Sequence, residues 1–107
     1  MEKPFEIYTT IGQELEKKKG IEISQMFGKP CLKINGKAFV SFFQDEMVFK
    51  LSGKDHEEAL KLKGAELFDP SGKKRPMKEW VQVPSKFSKQ WKELAVIALK
   101  YVKKSTE

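Results

Sequence analysis

One stretch, from Ile21 to Leu51, constrains the fold more than any other part of this 107-residue chain. It reads IEISQMFGKPCLKINGKAFVSFFQDEMVFKL, in which short runs of alternating apolar and polar residues are separated by turn-forming pairs. Such alternation is typical of β-strands with one buried face, and Asn-Gly between two such runs is a strong hairpin signal. The stretch therefore predicts an antiparallel meander.

The turns set the pairing within the meander. A two-residue loop at Gln44-Asp45 gathers an apolar set on one face of the sheet, which consists of Ala38, Val40, Phe42, Met47, Phe49 and Leu51. A two-residue loop at Asn35-Gly36 would bring Lys33 onto that apolar face. A three-residue or bulged turn at Asn35–Lys37 pairs Ile34 with Ala38 instead and keeps the lysine out. We therefore expect the longer or bulged turn.

Three further segments have the pattern of helices. Apolar residues at helical spacing predict an amphipathic helix over 5–19, before the meander. After the meander, Asp55 followed by Glu58 resembles a capping box and predicts a short helix over 55–63. A continuous apolar stripe predicts a long closing helix over 85–103.

A second hairpin is predicted between the last two helices. Strands at 65–68 and 77–83 flank Asp69-Pro70-Ser71-Gly72, a strong turn signal. Residues 1–107 therefore predict a single α+β domain. Its expected form is a two-layer sandwich, in which an antiparallel sheet of about five to six strands packs with N-terminal, middle and C-terminal helices.

The net charge of +6 is concentrated in the second half of the chain. Residues 54–107 carry thirteen Lys and Arg against eight acidic residues, with a local peak at the predicted hairpin tip. A positive field favours polyanionic partners. The candidate residues for nucleic-acid contact are Lys73, Lys74, Arg75 and Lys78.

Catalytic motifs are lacking in the sequence. The chain has one histidine, His56, and one cysteine, Cys31, and neither lies in a recognisable nucleophile, metal-ligand or phosphate-binding pattern. We therefore expect no enzyme activity, no cofactor and no metal. A pair of Cys31 and His56 in a shared cleft is the catalytic alternative.

The second face of the meander is less polar than a solvated face. Phe39, Phe43 and Val48 lie there in the predicted register, so they are the candidate residues for protein contact. Either the chain's own helices cover them, or they meet a protein partner or a second copy of the chain.

The sequence also predicts where the protein works. No apolar run approaches the ~20 residues of a membrane helix, and the start MEKPFEIY has no apolar signal-peptide core. A single cysteine fits a reducing compartment. We expect a cytoplasmic protein without a membrane partner.

Four segments, in this order, resemble one protein family. They are MFGKPCLKINGKAFVSF (Met26–Phe42), EMVFKLSG (Glu46–Gly53), FDPSGKKRPMKEWVQVP (Phe68–Pro84) and FSKQWKELAVIALKYV (Phe87–Val102). Together they are similar to the TfoX N-terminal domain family, which is named for a bacterial regulator of competence. The resemblance implies a compact two-layer α+β domain related to YjbR-like proteins, with no catalytic residues to assign.

The leading functional hypothesis is therefore a small, non-enzymatic regulatory domain of bacterial type that acts through protein–protein contacts. The alternative is a nucleic-acid-associated module that uses the basic hairpin at 73–78.

Overall fold

A computed structural model describes residues 3–26, 29–69 and 77–106. Its helices and strands follow the predicted order of helix, meander, helix, hairpin and helix. In chain order they are α1 (Pro4–Glu16), β1 (Ile21–Met26), β2 (Lys29–Ile34), β3 (Lys37–Phe43), β4 (Glu46–Lys50), α2 (Gly53–Leu60), β5 (Glu66–Phe68), β6 (Met77–Val83) and α3 (Ser88–Thr106). The predicted α+β class is confirmed.

The strands form one six-stranded sheet in the order β1-β2-β3-β4-β6-β5, and all pairs are antiparallel. The meander supplies four neighbouring strands. Since α2 intervenes between β4 and β5, the chain returns with β6 beside β4 and leaves β5 outermost. The sheet therefore has two edges, β1 and β5.

The turn at Gln44-Asp45 has the predicted register. Phe42 lies opposite Met47, and both turn residues have positive φ angles of 50° and 64°. These values belong to a type I′ turn, whose twist suits a two-residue hairpin.

The prediction for the other turn is wrong. Ile34 lies opposite Lys37, so Asn35-Gly36 is itself a two-residue turn with φ angles of 51° and 85°. The bulge lies one pair further into the hairpin, where the register shifts between Leu32 and Lys33 and Phe39 is the extra residue of β3. Displacing the bulge still keeps Lys33 out of the core.

One face of the sheet, the helix face, holds the main core. Packing there joins the meander and β6 to all three helices, because a sheet buries its apolar face against amphipathic helices. Its largest fully buried members are Trp91, Phe39, Phe49, Leu15, Leu32, Ile34, Met47, Leu51, Val40 and Val81.

A smaller group, the second cluster, packs on the opposite face. It consists of Val48, Phe68 and Trp80, with Ala38 and Phe43 against them. Ala38 was predicted on the main core face, and the bulge at Phe39 places it here instead. Phe43 and Phe68 belong to strands separated by β4 and β6, a gap of roughly 14 Å in a flat sheet. Because their ring centroids lie only 5.3 Å apart, the sheet curls over this cluster.

The helix boundaries differ from prediction at their ends. α1 ends at Glu16, three residues before the predicted end. Gly20 lies in the turn that follows, with φ 90°, and a Cβ there would lie 2.6 Å from the Asn35 side chain. α2 begins after Ser52 without a side-chain cap, so the capping box is wrong. A short 3₁₀ turn at Ser85–Phe87 precedes α3. In the described ranges, none of the helices has the length and apolarity needed to cross a membrane.

Candidate protein-contact site

The residues predicted for protein contact are mostly buried by the chain itself. Phe39 belongs to the main core, so its predicted place on the second face is wrong, because the bulge turns it towards the helices. Val48 has no exposed surface and packs against Phe68 and Trp80. Phe43 is half-buried, and Lys29 lies over its ring. This face offers little apolar surface to a partner.

Only one of the nucleic-acid candidates lies in the described chain. Lys78 is exposed on β6, and its backbone carbonyl accepts a hydrogen bond of 2.7 Å from His56 Nε2. Lys73, Lys74 and Arg75 lie outside the described residues.

Cys31 and His56 do not share a cleft. Cys31 is fully buried on β2 and lies opposite Ser41 of β3, on the second face. His56 lies on α2, which packs on the helix face beside β6. Within residues 3–26, 29–69 and 77–106, no three His, Cys, Asp or Glu side chains group as a metal site.

The outer side of β1, the β1 edge, presents backbone groups that no described strand pairs. Asn35 N–H donates to Gly20 O at 3.0 Å, and the pairing continues from Ile21↔Ile34 to Met26↔Lys29. In an antiparallel pair, hydrogen-bonded and non-bonded positions alternate. Glu22 and Ser24 therefore direct their N–H and C=O groups towards β2. Ile23 and Gln25 direct theirs outwards.

An exposed apolar side chain lies on this edge. Ile23 on β1 is 49% exposed, whereas Phe5, which is 50% exposed, packs its ring against Phe42 of β3. β1 reads IEISQM and has neither lysine nor proline, which are the residues that commonly protect edge strands. The edge is therefore open to strand pairing.

α1 packs closely above this edge because of a glycine. A Cβ on Gly12 would lie 3.2 Å from the Leu32 side chain and 3.9 Å from that of Ile23. At Gly12 the helix therefore lies over the boundary between β1 and β2, whereas its first turns pack on Phe42 of β3. Its other flank faces α3, where Glu14 forms an ion pair with Lys92.

Two buried groups, the Tyr8 hydroxyl and the Cys31 thiol, have raised pKa values. Burial raises the pKa of the Tyr8 hydroxyl, and the Cys31 side chain adds to the shift. Burial also raises the pKa of the Cys31 thiol, while Lys33 acts in the opposite direction. Both groups are therefore held in their neutral forms, and neither is an activated nucleophile or base.

The β1 edge was not singled out from the sequence. Alternation identified β1 as a half-buried strand, but the pattern does not say which strands are outermost. That depends on β6 returning beside β4. A usable signal was nevertheless present, since the first strand of a meander has one sequential neighbour and β1 carries an isoleucine between polar residues.

No family model matches this chain, and no curated protein or solved structure is significantly similar to it. The role of the β1 edge is therefore inferred from its own residues and geometry.

Proposed function

We propose that this chain is a small, non-enzymatic regulatory domain that binds another protein chain through the β1 edge. The observation that carries the proposal is the outward-directed backbone of Ile23 and Gln25 on a six-residue edge strand. Strand addition to such an edge is a common mode of protein recognition, in which backbone hydrogen bonds give affinity. The exposed Ile23 side chain adds apolar contact area.

Further features agree with a binding role. The burial and separation of Cys31 and His56 favour a non-enzymatic chain. A single buried thiol is compatible with a reducing, cytoplasmic environment. The resemblance to the TfoX N-terminal domain family, carried by the four segments quoted above, supports the regulatory part of the proposal.

Site-specific photocrosslinking in the producing cells tests the β1 edge. A photoreactive residue at Gln25 should give a discrete adduct with a protein chain. The same residue at Glu66, an exposed position on the other edge strand, is the matched control. Equal or absent adducts at the two positions would refute the proposed contact surface.

Nucleic-acid binding is the second candidate function, with Lys73, Lys74, Arg75 and Lys78 as its residues. One observation favours it: α3 exposes Lys89 and Lys100 beside the partly buried Val96 and Ile97. Glu93 lies on the same surface, and Lys92 is paired with Glu14, so the added basic surface is small.

Fluorescence anisotropy with labelled DNA and RNA at low salt tests this candidate. Binding should weaken as salt rises, and reversal to Glu at the four candidate positions should weaken it further. Reversal at Lys61 on the α2 side is the control. Absence of binding at low salt would rule the candidate out.

A further inference from the structure

We infer that the chain at the β1 edge is a second copy of this protein, paired β1 to β1 about a two-fold axis at Ile23. The inference rests on the proposed function, because it names the occupant of the same edge. It predicts a dimer with one continuous sheet, in which the helices of both copies lie on the same face.

Backbone phase restricts the possible registers. Outward-directed residues must meet outward-directed residues, so Ile21, Ile23 and Gln25 of one copy can pair only with the same set in the other. Ile21 offers only its C=O, because its N–H donates to Lys18 O at 3.3 Å. Pairing Ile21 with Ile23 of the second copy would set two Glu22 carboxylates opposite each other, which is unfavourable. Pairing Ile23 with Gln25 would set the exposed isoleucine against an amide.

The register with Ile23 opposite Ile23 avoids both conflicts. It buries the two exposed isoleucines against each other and pairs Glu22 with Ser24 of the second copy. Ile21 then lies opposite Gln25, and the two strands gain about four backbone hydrogen bonds. This register matches both the side chains and the outward backbone groups of β1.

The helix layer fits the same arrangement. Since α1 runs over the boundary between β1 and β2 at Gly12, the two α1 helices would lie about two strand spacings apart, or roughly 10 Å. This is the upper end of the usual distance between packed helices. The two-fold axis makes them antiparallel, with Gly12 of each copy beside Ile23.

The dipoles of the two α1 helices are opposed in this arrangement, because the two-fold axis makes the helices antiparallel. Opposed dipoles favour their approach. A second copy therefore pairs the outward backbone groups of β1 and covers the exposed Ile23 side chain.

Sedimentation velocity of the full chain tests the dimer. At about 100 µM, above the micromolar Kd expected for a small interface, the wild-type protein should sediment mainly as a dimer and dissociate on dilution. Ile23→Lys should weaken association at least tenfold, because it places two ammonium groups together at the axis. Glu66→Lys, on the other edge, should leave association unchanged. A monomeric wild type, or equal effects of the two substitutions, would overturn the inference.

Cysteine crosslinking tests the register. In the proposed register the two Ile23 Cα atoms lie about 5.5 Å apart, within disulfide range. Ile23→Cys should therefore give a disulfide-linked dimer under mild oxidation, whereas Ser24→Cys should not. Cys31 remains in place because it is fully buried. Crosslinking through Ser24→Cys alone would refute the register.

The two proposals fail differently. A wild-type chain that stays monomeric but forms a Gln25-specific adduct with a different protein would end the dimer inference and leave the proposed function standing. Failure of the Gln25 adduct as well would end both.

Discussion

The two edges of the sheet are built in opposite ways. β1 has six residues, pairs with β2 without a register shift and carries the half-exposed Ile23. β5 has three residues, its register shifts after Leu67, and its last residue, Phe68, is fully buried. Short and irregular edges discourage pairing with other chains, whereas long regular edges permit it. The difference indicates that β1 is the edge available for association.

Curvature explains how β5 is protected. The curl of the sheet brings Phe68 over the second face, where its ring contacts Phe43. β5 is therefore anchored by a side chain that other strands of the same sheet bury. β1 has no comparable anchor on that face in the described part of the chain. Its attachment depends on the ladder to β2 and on α1 above it.

Truncating the two edge side chains should give the largest contrast. Phe68→Ala removes a buried aromatic ring and should lower the free energy of unfolding by about 3–5 kcal/mol. Ile23→Ala removes a half-exposed side chain and should cost about 1 kcal/mol or less in the monomer. Urea denaturation of dilute protein measures both. Equal losses would mean that the two edges are anchored alike.

Proline substitution on neighbouring β1 residues should test the backbone phase. Ser24→Pro removes an N–H that bonds to β2 and should cost about 3 kcal/mol. Gln25→Pro removes an outward N–H and should cost less than about 1 kcal/mol, because proline is tolerated on the free side of an edge strand. Thermal unfolding at low protein concentration separates the two. A reversed order would show that the outward and inward residues are exchanged.

The sequence predicts the strands of the sheet better than the order in which they pair. Strand β6 has its predicted bounds, and Trp80 lies on the opposite face from Val81 and Val83, as alternation indicates. Each of these depends on local periodicity. Which strand is outermost depends on the pairing of β4 with β6, a long-range contact that periodicity does not encode.

The bulge at Phe39 shows a second limit. Alternation assigns each residue of β3 to a face by counting from a turn, so one extra residue moves every position beyond it to the other face. The sequence indicated that a bulge or a longer loop was needed to exclude Lys33. Both solutions satisfy that requirement, and only packing of Phe39 beneath the helices selects the bulge.

Alkaline pH should lower the free energy of unfolding. Burial raises the pKa of Tyr8 and Cys31, so the folded state keeps protons that the unfolded chain loses. Stability is therefore complete below the unfolded pKa values and falls as pH rises through them. A single such group costs about 1.4 kcal/mol per pH unit.

Urea denaturation between about pH 8 and about pH 11 measures this loss. Tyr8→Phe and Cys31→Ala should each flatten the dependence. A profile that stays unchanged in both variants would exclude these groups as its cause.

The hydroxyl of Tyr8 gives the smallest predicted effect. This oxygen is buried, and no described residue hydrogen-bonds to it. Tyr8→Phe removes the unsatisfied group and keeps the ring contact with Phe42, whose centroid lies 5.3 Å away. Stability at neutral pH should rise by about 1 kcal/mol, because an unpaired buried polar group is costly. Tyr101→Phe is the control, since the Tyr101 hydroxyl donates to Glu79 and its removal should bring no gain. A loss of stability in Tyr8→Phe would show that the Tyr8 hydroxyl makes a stabilising polar contact, and that α1 is not held on the sheet by apolar packing alone.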